Sequence, residues 1–323
     1  MEVVAVTGAS AGVGRAVVQR FARRGAHLGL IARDRKRLEA AAAEVERLGG
    51  QALVLPLDVA DSDAVEGAAT QIEEHFGPLD VWVNNAMATV FAPVTEITAG
   101  EFRRATEVTY LGYVWGTLAA LRRMLPRDRG TIVQVGSALA YRSIPLQAPY
   151  CAAKHAIHGF TQSLRTELLH EGSKVHVTEV QLPAHNTPQF EWGRAKLPKQ
   201  PQPVPPIFQP EVAAEAIEYA ATHRRRELLV AWPMVKVVYG EKIAPGLADR
   251  YLARTGYDAQ QTDEPLDGER EGNLFEPVPG DFAAHGRFDD RAKKRSVLLE
   301  ANLHRGPLLL AGVAVLGALL ARR

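Results

Sequence analysis

Short runs of β-branched and apolar residues alternate with longer stretches whose apolar positions recur at helical spacing, through the first two-thirds of the chain. Residues 3–7 predict a strand and 12–24 the helix after it; 27–32 and 35–48 repeat the pair. Strands over 52–57 and 81–84 flank a helix over 62–75. A long helical stretch, about 101–125, leads into a strand over 130–135, and a helix over 148–170 precedes a strand over 175–180. A helix over 210–222 and a strand over 227–231 complete the pattern. Strands that are apolar throughout, rather than alternating, are those covered on both faces. Seven of them joined by crossover helices predict an α/β fold, a doubly wound seven-stranded parallel sheet of the Rossmann type.

Two stretches break the rhythm. Residues 198–206, Pro-Lys-Gln-Pro-Gln-Pro-Val-Pro-Pro, can neither continue a helix nor sit in an inner strand. They read as an exposed linker or as a lid over the substrate. Beyond about Pro233 the periodicity weakens, and residues 256–290 are rich in Gly, Pro, Asp and Glu with few apolar positions. The expected organisation is a catalytic Rossmann domain over 1–235, a loop-rich extension over 236–296 and an apolar tail helix over 297–323. Within that tail, residues 307–321 carry no charge, with Arg305 before them and Arg322-Arg323 after. As a helix this run is about 22 Å long, against about 30 Å of bilayer hydrocarbon. It is apolar all round rather than striped. Two readings stand: a membrane contact helped by snorkelling arginines, or packing into a dimer seam or hydrophobic groove.

Composition narrows the classes. With 46% apolar and 23% charged residues over 323 positions, the chain is an ordinary globular one. Its 38 basic and 37 acidic residues leave a formal charge of +1, so no field draws nucleic acid and no such partner is expected. Cys151 is the single cysteine, which excludes an intrachain disulfide and points to a reducing, cytoplasmic compartment. His155 and His158 lack a third ligand at metal-site spacing, so no metal is expected. Cys151 reads as packing, and His185 as a loop histidine in solvent or touching substrate.

The first strand runs into Thr7-Gly8-Ala9-Ser10-Ala11-Gly12-Val13-Gly14. Glycines there allow a tight turn and let backbone approach a pyrophosphate, while the next helix aims its N-terminal amides at the same anion. Standing between the first strand and first helix of an alternating chain, this is the context of a dinucleotide fingerprint. The second strand ends Ile31-Ala32-Arg33-Asp34. An acid at that place accepts a ribose 2′-hydroxyl, whereas an arginine suits a 2′-phosphate. Arg33 can fork onto phosphate oxygens. Asp34 reads as the N-cap of the following helix or, if the strand ends later, as the ribose acid. NADP(H) is therefore favoured over NAD(H). Asp58, after the third strand, reads as a partner of the adenine edge or as a helix cap.

Ser137 follows an apolar strand at the sheet edge where open parallel sheets bind ligands. Tyr150 and Lys154, four apart on one helix, share a face. A phenol of pKa near 10 shuttles protons poorly at neutral pH, and a nearby ammonium lowers that value.

On these motifs the chain resembles the short-chain dehydrogenase/reductase superfamily, in the group with T-G-x-x-x-G-x-G and Y-x-x-x-K, over about residues 1–235. The likeness includes Asp58, the stretch Asn84-Asn85-Ala86, Ser137, Tyr150 and Lys154. It implies that Ser137 orients the substrate oxygen, that Tyr150 gives or takes its proton, and that Lys154 holds the nicotinamide ribose and lowers the tyrosine's pKa. Besides Tyr150 and Lys154, the cofactor contacts it implies are Gly8, Ser10, Gly12, Val13, Gly14, Arg33, Asp58, Val59, Asn85, Ala86, Pro183 and Thr187. It also implies direct hydride transfer without metal, and a homo-oligomer. Three departures stand out: Met87 where the family has glycine, Thr109 where it has an active-site asparagine, and Pro183-Ala184-His185-Asn186-Thr187 for its Pro-Gly loop. The expectation is an NADP(H)-linked oxidoreductase on an alcohol or carbonyl substrate, an apolar one if the tail meets a membrane. A weakly active or inactive dinucleotide-binding or sensing protein is the alternative, and an epimerase or dehydratase a third.

Overall fold

The computed structural model describes residues 1–304. Its strands are β1 (Val3–Thr7), β2 (His27–Ala32), β3 (Gln51–Pro56), β4 (Val81–Asn84), the two-residue β5 (Val90–Phe91), β6 (Thr131–Ser137), β7 (His176–Leu182), the short β8 (Arg194–Ala195) and β9 (Lys199–Pro201), β10 (Glu227–Leu229) and β11 (Gln261–Pro265). The helices are α1 (Gly12–Ala22), α2 (Arg35–Arg47), α3 (Ser62–Phe76), α4 (Ala99–Thr106), α5 (Gly112–Met124), α6 (Ala148–His170), α7 (Gln189–Trp192), α8 (Pro210–Thr222), α9 (Trp232–Ile243), α10 (Pro245–Thr255) and α11 (Val297–Leu303). Seven strands form one parallel sheet in the order β10-β7-β6-β4-β1-β2-β3.

Both faces of that sheet are covered, as its apolar strands require. The side chains of β1 alternate: Val4 and Val6 enter a core with Phe21 of α1, Leu38 of α2 and Ile217 of α8. Val3 and Ala5 enter the opposite core with Ile72 of α3, Met124 of α5 and Leu164 of α6. Each of these side chains larger than alanine contributes about 1.5–3 kcal/mol of burial. The chain winds outward from β1 through β2 and β3, then returns to β4 on the other side. The carboxyl ends of β1 and β4 thus flank the switch point, where a crevice opens.

Three regions differ from the sequence pattern. The helix expected over 101–125 is α4, a π-helical segment Glu107–Leu111, and α5. A capping box between Thr98 and Glu101 starts α4. The extension is less loop-rich than expected at its start, because Pro233 and Pro245 each open a helix in its first turn, α9 and α10. In the proline-rich stretch, β9 pairs antiparallel with β11 in a two-stranded ribbon, where a missing N–H is tolerated. Of the tail, only the first residues through α11 are described, and the run 307–321 lies outside the described residues. Among those described, no helix is long and apolar enough to cross a membrane.

Candidate active site

A cleft of about 490 Å³ runs along the carboxyl ends of the central strands. At one end, the turn after β1 places Gly8 and Gly12 at φ of 69° and 56°. A Cβ on Gly14 would lie 2.0 Å from the Gly8 carbonyl oxygen, and one on Gly8 would lie 2.8 Å from Asn85 Nδ2. Only glycine permits this turn. Thr7 fixes it to β4: its Oγ1 accepts the Asn85 and Ala86 N–H groups at 2.9 and 3.0 Å, and Asn85 Nδ2 donates to the Thr7 carbonyl at 3.0 Å. Ser10 and Val13 line the cleft beside the N-terminus of α1. This is a cradle that a pyrophosphate fits.

At the adjoining end, Asp34 caps α2 by accepting the Arg37 N–H at 3.1 Å. Arg33 points at the extension, donating to the backbone carbonyls of Asn273 and Phe275. Arg37 Nε donates to the Gly280 carbonyl at 2.7 Å, and its guanidinium lies 4.8 Å from the Trp192 ring and 5.1 Å from that of Phe282. Arg104 pairs with Asp58 and donates to the Leu274 carbonyl at 3.1 Å. Asp58 is not a helix cap, since Asp61 caps α3. Burial and the nearby Arg104 pull Arg33 below the usual guanidinium range. Residues 273–288 of the extension thus run along the cleft as a strap: the Gly12 N–H donates to the Ala283 carbonyl at 3.1 Å, and Asn186 Oδ1 accepts the Phe288 N–H at 3.0 Å.

The inner end gathers the three residues that sequence spacing singled out. Ser137 closes β6, Tyr150 sits in the first turn of α6, and Lys154 lies one turn on. Ser137, Tyr150 and Lys154 line the same end of the cleft, and Lys154 Nζ lies 5.4 Å from the centre of the Tyr150 ring. Burial pushes the phenol well above its ordinary value, opposed by the nearby Ser137 hydroxyl. Burial also pulls Lys154 down to about 7. The lowering expected from the ammonium neighbour is not seen; burial of the phenol sets the direction instead. Lys154 Nζ donates to the Val135 carbonyl at 2.6 Å and to the Tyr113 hydroxyl at 3.0 Å.

The departures from the family pattern find places. Thr109 is fully buried in the π-helical segment, and its hydroxyl both donates to the Ala88 carbonyl (2.8 Å) and accepts the Ala88 N–H (2.9 Å). It clips the loop after β4, and its hydroxyl is committed to the Ala88 backbone. Met87, Val59, Ala86, Pro183 and Thr187 line the cleft. His185 is not in solvent: it is 6% exposed, its Nδ1 bonds the Pro183 carbonyl at 2.8 Å, and burial lowers it to about 4. Cys151 is buried, as packing requires.

Behind Ser137 lies a polar network that spacing could not reveal. The Ser137 N–H donates to Gln181 Oε1 at 2.8 Å, and Gln181 Nε2 donates to Glu179 (3.0 Å) and Glu227 (2.9 Å). His158 Nδ1 bonds Glu179 at 2.8 Å, which raises the histidine's pKa. The third group that the sequence did not offer His158 is thus supplied from β7 and β10, with His158, Glu179 and Glu227 ligand atoms within 4.8 Å of one another. All three are already engaged in the network, Glu227 also by Tyr141.

Beside Ser137, whose hydroxyl accepts the Leu139 N–H at 3.2 Å, Leu139, Ile144, Pro206, Met234, Val237 and Leu252 give the cleft an apolar wall. Arg142 also lines it, with its guanidinium held by Glu241 at 2.8 Å and Asp249 at 2.5 Å.

A family model of short chain dehydrogenases matches residues 2–196. The chain belongs to the short-chain dehydrogenase family. Such a chain is an NAD(P)-dependent dehydrogenase or reductase. An uncharacterized oxidoreductase of Bacillus subtilis, YxnA, is 30% identical over 314 residues, 97% of this short-chain dehydrogenase and 87% of that protein. That likeness takes in the C-terminal extension. A fatty acyl-CoA reductase of Acinetobacter baylyi is 31% identical over 229 residues, 70% of this chain and 75% of that one. The solved alcohol dehydrogenase of Thermococcus sibiricus, complexed with 5-hydroxy-NADP, matches with a TM-score of 0.61 at 27% identity, over 71% of this chain and 95% of its own.

Proposed function

We propose that this short-chain dehydrogenase reduces apolar carbonyl compounds with NADPH, with Tyr150 as the acid. The observation that carries the reading is the gathering of Ser137, Tyr150 and Lys154 at the inner end of a cleft with an apolar wall. Tyr150, Ser137 and Lys154 are its catalytic residues. A phenol held above its ordinary pKa keeps its proton at neutral pH, which suits donation to a developing alkoxide. Ser137, fixed by Gln181 through its backbone, offers a hydroxyl donor to the carbonyl oxygen. Lys154, tied to the Val135 carbonyl, is placed to hold ribose hydroxyls and to favour the phenolate left behind.

Bound NADPH supplies the hydride. The glycine turn and the amides of α1 would hold its pyrophosphate. Asp58 and Val59 would face the adenine, and Asn85, Ala86, Pro183 and Thr187 the nicotinamide side. Arg33, with Arg37 and Arg104 nearby, favours a 2′-phosphate. The NADP derivative named with the Thermococcus sibiricus enzyme supports that preference. The fatty acyl-CoA reductase relative supports a long, apolar substrate class, as does the cleft wall.

Absorbance of NADPH, followed across long-chain aldehydes, aliphatic ketones and steroid ketones beside short polar carbonyls, tests the reading. Oxidation with apolar carbonyls is expected. Tight NADPH binding with no turnover on any of them would make the chain a dinucleotide-binding protein instead.

A further inference from the structure

Large apolar side chains that stand exposed are concentrated in one place. Trp232, Tyr239, Ile243, Leu247, Tyr251 and Tyr257 all fall within 26 residues, on or just after the helical hairpin of α9 and α10. Ile243 is 81% exposed and Leu247 65%. Along α9, Trp232, Lys236, Tyr239 and Ile243 are spaced to form one stripe. Exposing this much apolar surface is costly unless something covers it.

Charge says what covers it. The two helices carry the exposed cations Lys236, Lys242, Arg250 and Arg254, and two acids, Glu241 and Asp249. Both acids are paired to Arg142 at the cleft wall. The outward face is therefore apolar and aromatic with a cationic rim. A twofold contact between copies would bring like charges together, since the same patch meets itself. Aromatic and aliphatic residues with lysine and arginine at the margin are instead the composition of a helix seated in a membrane interface.

We propose that the α9–α10 face docks this enzyme on an anionic lipid bilayer. Met234, Val237 and Leu252, from the same two helices, line the cleft, and Tyr251 both lines it and stands exposed. The docking face and the cleft mouth are continuous. An apolar compound dissolved in the bilayer reaches the cleft without crossing water. The surface stands apart from the catalytic reading, because its test does not use turnover.

Flotation of the full chain with vesicles of phosphatidylcholine alone, and of phosphatidylcholine mixed with phosphatidylglycerol, reads the docking directly. The wild-type chain is expected to float with the mixed vesicles and less with the neutral ones. Ile243→Glu/Leu247→Glu is expected to lower the bound fraction by about tenfold or more. Lys236→Glu/Lys242→Glu is expected to abolish the preference for phosphatidylglycerol. None of these four residues lines the cleft, so retained NADPH binding reports that each variant folds. The proposal is overturned if Ile243→Glu/Leu247→Glu floats like the wild type, which would put the contact elsewhere, residues 307–321 included. It is equally overturned if the wild type does not float, or if sedimentation shows that these substitutions instead split a dimer.

Discussion

The Tyr113 hydroxyl and the Lys154 amine stand 3.0 Å apart, and both donate to the Val135 carbonyl, from 3.0 and 2.6 Å. Tyr113 is 1% exposed and Lys154 2%, so this small cluster is closed to bulk water. The phenolic oxygen accepts from the amine, which favours its charged form in a site where burial disfavours it. Tyr113 is thus a positioning residue for Lys154. Tyr113→Phe is expected to lower the Lys154 pKa further and to move the alkaline limb of the kcat profile down by about one pH unit. A role in packing alone would lower the thermal midpoint and leave that limb where it was.

Lys154 also links the site to stability. Its folded pKa is about 7 against an ordinary 10.5. Between those values the unfolded chain binds the extra proton, so this group makes stability rise with pH from about 7 to about 10.5. Below that window the fold carries the full cost of a buried charge. Lys154→Met is expected to remove the slope, gaining most over the wild type near pH 7 and least near pH 10.5. Denaturant midpoints at the two ends check this; a difference that does not change with pH contradicts it.

The strap over the cofactor cleft makes two separable predictions. Arg33→Ala removes the cation proposed to meet the 2′-phosphate and is expected to weaken NADPH about tenfold or more while NADH changes little. Phe282→Ala removes one of the rings against Arg37 and loosens the strap, so both cofactors are expected to bind a few-fold more weakly, about equally. Titration by nucleotide fluorescence measures both. Equal losses for Arg33→Ala would argue for NAD(H).

Thr109 is expected to matter for the fold more than for proton transfer. Thr109→Ala strands the buried Ala88 N–H and carbonyl, at a cost of about 1–3 kcal/mol. Thr109→Ser keeps the hydroxyl and is expected to recover most of it in chemical denaturation.

The parallel sheet was legible because its strands are apolar on both faces and its crossovers keep helical period. The nucleotide turn and the Ser137, Tyr150 and Lys154 set were legible because strand ends and single helix turns fix where such residues go. What escaped was long-range. Nothing near Arg33 in sequence announces that the carbonyls of residues 273–275, some 240 positions away, would meet it. Gln181, Glu179 and Glu227 converge behind Ser137 through the pairing of β6, β7 and β10, and strand pairing has no local signature. The direction of the Tyr150 shift escaped too. Spacing reveals a neighbouring amine but not how dry the pair becomes. Tyr113 carried the one signal open to inspection, since it lies four positions after Thr109 on the same helical stretch.

On the proposed chemistry, the Tyr150 hydroxyl is the proton source for carbonyl reduction. NADPH oxidation with an apolar carbonyl substrate, measured beside NADPH binding for the wild type and Tyr150→Phe, decides whether it is. Turnover is expected to fall by about a thousandfold or more, with cofactor affinity nearly unchanged. A Tyr150→Phe chain that still reduces the substrate at a comparable rate would place the proton source elsewhere.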